Sequence, residues 1–195
     1  MASETYDKIL DAAEDLMVSR GYNAFSYADI SAEVGVGKAT IHHHFPTKAD
    51  LAEKVLARYR ERNRRSVEAL LSAVSDPAER LGAYIDYWED CIRRKERPFC
   101  TGALLASEIP SLPEGVVRQV QGHFSDVASW LGAVIDGGNR TGKLETEKGA
   151  TAEAKMLMAT VHGAMLAARV AGSDPEVFSA IARRAVEQIM QRPRK

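Results

Sequence analysis

Only two cysteines, Cys91 and Cys100, occur in 195 residues. Two thiols make neither a disulfide framework nor a four-ligand zinc site. They read as reduced thiols of a cytoplasmic protein. Basic charge is not in excess either: 26 Lys+Arg face 27 Asp+Glu, for a net charge of -1. Any surface for an anionic polymer must therefore come from placement, not from bulk charge. Long hydrophobic runs are missing. The most apolar stretch, Met156 to Ala168, is interrupted by His162 and followed by Arg169, too short to span a bilayer. Met1 to Arg20 mixes acids with apolar residues and has no signal-peptide core, so no membrane partner is expected. No run alternates as a half-buried strand does. What is present is a 45% hydrophobic chain, enough for a substantial core and too much for disorder.

The apolar spacing is helical almost throughout. Ile9, Ala12, Ala13, Leu16 and Met17 make one stripe of a helix over Thr5–Arg20, closed by Gly21. Ser26 with Asp29 resembles a capping box and starts a second helix that ends near Val34. Gly35-Val36-Gly37 is a turn, and a short helix covers Lys38 to His44. Thr47 and Asp50 repeat the cap after Pro46 and launch a helix to about Ala73; Asp76-Pro77-Ala78-Glu79 launches the next, to about Lys95. A helix near Cys100–Glu108 and one over Glu114–Asp136 follow the breaks at Pro98, Pro110 and Pro113. Gly137 to Gly142 reads as the clearest loop, and two long helices near Glu147–Ala171 and Pro175–Gln191 close the chain.

Tyr27 to Phe45 is the informative segment. Two short helices meet across a tight turn, Gly35 suits positive φ, and Ile30, Val34, Val36 and Ile41 can lock the pair at a steep angle. That is the helix-turn-helix layout, whose second helix enters the major groove. Charge is segregated around it: residues 1–50 carry eight acids and four bases, residues 51–66 two acids and six bases. The run Arg58, Arg60, Arg62, Arg64 and Arg65 lies turns beyond this motif and reads as a solvated face or as one paired with acids within the dimer. Adjacent helix residues point about 100° apart, so His42, His43 and His44 cannot converge on one metal. No metal or cofactor is expected.

Through Ile9-Leu10-Asp11-Ala12-Ala13, Gly21-Tyr22, Asp29-Ile30 and Gly35 to Lys48, residues 9–51 resemble the DNA-binding domain of the tetracycline-repressor (TetR) family. The resemblance implies an all-α homodimer. Residues 1–47 would form a three-helix helix-turn-helix domain, and 48–195 a roughly six-helix ligand-binding and dimerisation domain. It also implies that Lys38, Ala39 and Thr40 face base edges. His42, His43 and His44 would lie near phosphates, Lys48 would bind a phosphate with its amine and helix N-terminus, and Tyr27 would add a further contact. The chain departs from the family at His42, where Tyr is usual, and at Gly37, where Ser or Thr usually caps the recognition helix.

Residues 75–195 carry no catalytic signature. Aromatic, sulfur and polar residues there suit a small-molecule pocket: Tyr84, Trp88, Cys91, Cys100, Glu108, His123, Phe124, Trp130, Met158 and His162, with Tyr87, Met156 and Met165 beside them. Ala152, Ala159, Gly163, Ala164, Ala167 and Ala168, followed by Phe178, Ile181, Ala185, Val186, Ile189 and Met190, predict a dimer interface or core in the last two helices. The expected function is a regulator, by family default a repressor, released from a palindromic operator on double-stranded DNA by a small molecule. A thiol-sensing repressor acting through Cys100, at the start of a short helix, is the alternative. An enzyme using Cys100 with His123 or His162 leaves the N-terminal motif unexplained, and a filled, unresponsive core is the remaining rival.

Overall fold

A computed structural model describes residues 2–96, 98–146 and 148–190. Among the described residues the regular elements are α1 (Ala2–Arg20), α2 (Tyr27–Val34), α3 (Lys38–His44), α4 (Lys48–Ala73), α5 (Pro77–Arg94), α6 (Thr101–Ala106), a 3-10 turn (Ile109–Ser111), α7 (Glu114–Arg140), α8 (Ala150–Val170) and α9 (Pro175–Met190). No strand occurs among them, as the missing alternation foretold, and no helix is long and apolar enough to cross a membrane.

Local chemistry explains the boundaries. The α2 capping box forms: the Ser26 side chain accepts from Ala28 N, and the Asp29 carboxylate accepts from Ser26 N at 2.7 Å. The bond from the Ser26 hydroxyl, and then this one from its backbone N–H, holds the Asp29 carboxyl below the usual range. Asp76 caps α5 through Ala78 N and Glu79 N, with Pro77 in its first turn. Helix α1 begins at Ala2 rather than Thr5, where Glu4 and Lys8 pair at 2.7 Å one turn apart.

Two expectations fail. Residues Gly137–Arg140 belong to α7; the chain turns at Thr141–Lys143, with Gly142 at φ 70°. A Cβ on Gly138 would sit 2.5 Å from Leu144 Cδ1. That glycine therefore admits the returning chain and does not break the helix. Helix α6 stops at Ala106, short of Glu108, because Ser107 and Glu108 lead into the 3-10 turn. Helix α8 begins at Ala150; Glu147 and Gln191, the expected ends of the last two helices, lie outside the described residues.

The chain divides into two compact units, Met1–Asn63 with Cys100–His123, and Arg64–Phe99 with Phe124–Lys195. In unit 1 the whole α1 stripe is buried with Ile30, Ile41, Phe45, Leu51, Val55 and Leu56. Each of these side chains larger than alanine contributes about 1.5–3 kcal/mol by leaving water. In unit 2, α5 offers Leu81, Ile85, Trp88 and Ile92, α8 offers Leu157, Val161, Ala164, Met165 and Ala168, and α9 offers Phe178, Ala182, Val186 and Ile189. Arg183 of α9 reaches Asp86 at 2.7 Å and Glu89 at 2.6 Å on α5. Ile181 and Met190 of α9 lie outside this core, as do Met156, Leu166 and Val170 of α8.

Candidate nucleic-acid interface

The geometry begins with a turn. Gly35 takes φ 75° and its N–H bonds the Ser31 carbonyl. Ser31 then donates its hydroxyl to the Val36 carbonyl at 2.6 Å, tying α2 to the turn. Helix α3 is fixed from beneath by Ile41, which is fully buried, and by Phe45, whose amide closes the helix on the Ile41 carbonyl. Lys38, Ala39, Thr40, His42 and His43 are all exposed. A helix with one buried anchor and exposed positions before and after it can enter a groove without being taken apart.

The expected contact residues differ in their surroundings. His42 stacks edge-on against the Tyr27 ring at 4.7 Å, and its Nδ1 lies 3.3 Å from the Pro46 carbonyl. These partners hold the imidazole that stands where the family has Tyr. His44 is half-buried beside Tyr6, with ring centres 5.9 Å apart. Tyr27 is buried, and its hydroxyl donates to the Phe45 carbonyl at 2.8 Å. Burial pushes that phenol up to about 12, so its proton stays in place. Lys48 is half-buried: its amine donates to the Phe25 carbonyl and lies over the rings of Tyr22 (4.7 Å) and Phe25 (4.2 Å). Burial, only partly offset by Glu108 and Asp29, holds this amine below the usual lysine range. Both the Tyr27 proton and the Lys48 amine are thus engaged inside unit 1. Their side-chain direction depends on Phe25 and Phe45, which no local spacing reveals.

Beneath this surface, unit 1 is pinned by polar contacts that sequence reading missed. Glu14 is fully buried and meets Arg62 at 2.5 Å and Arg58 at 3.4 Å, while Arg58 also meets Asp11 at 2.8 Å. Arg58 and Arg62 of the arginine run thus pair with acids of α1 in their own chain, while Arg60 bonds Gln119 at 2.9 Å and Arg64 pairs with Glu68 of α4. Glu108, expected in a pocket, instead accepts from Tyr22 N at 3.0 Å, Asn23 N at 3.3 Å and Asn23 Nδ2 at 2.9 Å. Its carboxylate lies so close over Gly21 that a Cβ there would come within 2.4 Å of Oε1.

The ten pocket candidates separate. Cys100, Glu108 and His123 belong to unit 1, and Tyr84, Trp88, Cys91, Phe124, Trp130, Met158 and His162 to unit 2. Cys100 Sγ lies 3.2 Å from His123 Nε2 and 3.3 Å from the Tyr59 hydroxyl, and it accepts from Ala103 N at 3.4 Å. All three side chains are buried. Burial pushes the Cys100 thiol up despite these donors. A thiol that is both fully buried and harder to ionise is a poor nucleophile, so the thiol-sensing alternative is not favoured. In unit 2, Trp130 meets Tyr84 edge-on at 5.2 Å, and Phe124 meets His162 likewise at 5.1 Å. Burial lowers His162 to about 4, which keeps it neutral at pH 7.

Fold and surface together define a helix-turn-helix DNA-binding protein with a separate helical unit. Residues 9–55 match the family described as "Bacterial regulatory proteins, tetR family", and residues 77–186 match the "Tetracyclin repressor-like, C-terminal domain". The chain belongs to the TetR family of transcriptional regulators. A TetR-family transcriptional regulator from Agrobacterium tumefaciens is 48% identical, with 97% of this chain and 100% of that chain covered at a TM-score of 0.95. The transcriptional regulator CymR of Pseudomonas putida is 26% identical across 70% of this chain and 68% of its own. The transcriptional repressor BepR of Brucella suis is 26% identical across 83% and 79%.

Proposed function

We propose that the protein is a ligand-gated, cytoplasmic repressor whose paired recognition helices hold a palindromic operator until a small molecule binds the C-terminal helices. The exposed row on α3 above a single buried anchor carries this reading. Lys38 and Thr40 are of types that hydrogen-bond base edges, and Ala39 suits a thymine methyl. His42 and His43 would meet phosphates. The outer amides of α4 would add an anion site at a helix start, which the inward-turned Lys48 amine leaves open. His44 and Tyr27 support the helix from below and would contribute little directly.

The name of BepR as a repressor supports repression, and the family supports gating by a small molecule. The functional division falls at residues 1–47 and 48–195. Met156, Leu166, Val170, Ile181 and Met190 leave exposed apolar surface on α8 and α9, which supports a homodimer through those helices. Two-fold symmetry then spaces the half-sites by about one helical turn of DNA, or multiples of it. An effector that binds one arrangement better than the other shifts the population by no more than that difference in affinity.

The test is retardation of DNA flanking the gene for this protein. Lys38→Ala should weaken specific binding roughly tenfold or more, the worth of a good base contact, without changing stability. Lys48→Ala should weaken binding and lower the melting temperature together. Specific retardation that is indifferent to Lys38→Ala and to Thr40→Ala would refute the assignment of α3.

A further inference from the structure

The chain contains two tryptophans, Trp88 and Trp130, and both lie in unit 2. Each buries its indole nitrogen, and neither Nε1–H finds an acceptor among the described residues. Trp88 itself is only 6% exposed. Buried donors are ordinarily paired, because leaving one unmade forfeits the hydrogen bond that water would have given. A single orphan is a packing accident that a fold can carry. Asn139 Oδ1 of the same unit is likewise without a bond among the described residues, but the two indoles are both donors and both lie beside Tyr84 of α5, one by contact and one a helical turn away, which asks for a common cause.

The surroundings supply one. Tyr84 and Trp88 are one turn apart on α5, so they share a face. Trp130, from α7, meets Tyr84 edge-on, and the Tyr87 ring flanks Trp88 at 5.1 Å. Aromatic walls set along one helix, with two donors and no acceptor committed to them, favour a flat apolar guest that carries an acceptor. The donors also select against the opposite charge. An indole N–H is the positive edge of its ring, so a quaternary ammonium would be attracted by the faces and repelled by these edges. A fully charged anion would be left in an aromatic setting without a counter-ion, which burial penalises.

We propose that Trp88 and Trp130 are the hydrogen-bond donors of the effector site, and that the effector is an uncharged, planar, largely apolar molecule bearing a carbonyl oxygen. This rests on the ligand-gated reading above and names its ligand class. In the complex the oxygen accepts from one or both indoles, and the ring of the guest packs on Tyr84.

With two tryptophans in the chain, the site reports on itself. The full-length protein labelled with 15N-tryptophan gives two indole N–H signals. It is titrated with acetophenone and 2-acetonaphthone, and in parallel with ethylbenzene and 2-ethylnaphthalene, which keep each shape but lack the oxygen. The expected result is a downfield shift of at least one indole proton with a ketone and not with its hydrocarbon partner. The ketone should bind about tenfold tighter, the worth of one buried hydrogen bond. Trp130→Phe and Trp88→Phe keep a ring and remove a donor; in the variant that loses the donor used, the two affinities converge. Equal binding of ketone and hydrocarbon, or no movement of either indole signal with either ketone, overturns the proposal. Phenyltrimethylammonium binding more tightly than acetophenone overturns it as well. DNA retardation is measured separately on the same samples. Ketones that bind through the indoles yet leave retardation unchanged uphold the site and sink the ligand-gated reading. Retardation that responds while both indole signals stay still sinks the site alone.

Discussion

In unit 1 the buried carboxylate of Glu14, the thiol of Cys100 and the imidazole of His123 each meet a partner, and Glu108 closes on the backbone of Tyr22 and Asn23. In unit 2 the buried indoles of Trp88 and Trp130 meet none among the described residues, and apart from the buried Glu153 and Ser179 the core is aliphatic and aromatic. Charged and hydrogen-bonded contacts have strict geometry, so they admit one arrangement; apolar contacts are forgiving. The unit that must present α3 at a fixed angle is built with the first kind. The unit proposed to accommodate a guest is built mainly with the second, apart from the Arg183 pairs that tie α9 to α5.

The contrast can be broken most forcefully at Glu14. Glu14→Ala should cost unit 1 about 3 kcal/mol, because it leaves Arg58 and Arg62 facing a hole and each other; denaturant unfolding measures it. A loss under about 1 kcal/mol would show that the cluster is ornamental. Unit 2 should instead respond to acid. His162 has its folded pKa lowered to about 4, below the ordinary 6.5, by burial. Its stabilisation is therefore fully present above pH 6.5 and is lost as pH falls towards 4. Between pH 7 and 5 the loss is at most about 2 kcal/mol, and His162→Gln should flatten that slope. Glu108→Gln should cost about 1 kcal/mol, since the amide oxygen still accepts but without charge, and amide exchange at Tyr22 and Asn23 should rise. Trp130→Phe should be nearly neutral, within about 0.5 kcal/mol beyond the lost ring area, because its N–H stabilises nothing in the free protein. Smallest in energy is a chemical readout. Cys100 should resist iodoacetamide at neutral pH in the folded protein, and the half-buried Cys91 should react first.

Much of the fold was legible because helices are announced by neighbours. Ser26 with Asp29, Thr47 with Asp50, and Asp76 with Pro77 each state a boundary within four residues. The anchor Ile41 was legible from helical spacing, whereas the residues expected to face DNA came from the family resemblance, and of these His44 is half-buried. What stayed hidden depends on partners far along the chain. Glu108 lies 86 residues from Tyr22, and Cys100 lies 23 from His123. Gly138 looks like a hinge until Leu144 is seen packed against it. A glycine has two uses, turning the chain and letting another group come close, and sequence separates them poorly. Gly137, with no neighbour nearer than 3.9 Å to an added Cβ, should become about 0.5–1 kcal/mol more stable as Ala. Gly138→Ala should be destabilising.

Helix α3 holds its place through Ile41, while Lys38, Ala39, Thr40, His42 and His43 face outward. Apart from His42, which Tyr27 and the Pro46 carbonyl hold, those positions are nearly decoupled from folding. In the role proposed above, Lys38, Ala39 and Thr40 form an exchangeable reading head: a descendant, or an engineer, can rewrite which DNA sequence is recognised without rebuilding the protein that does the recognising.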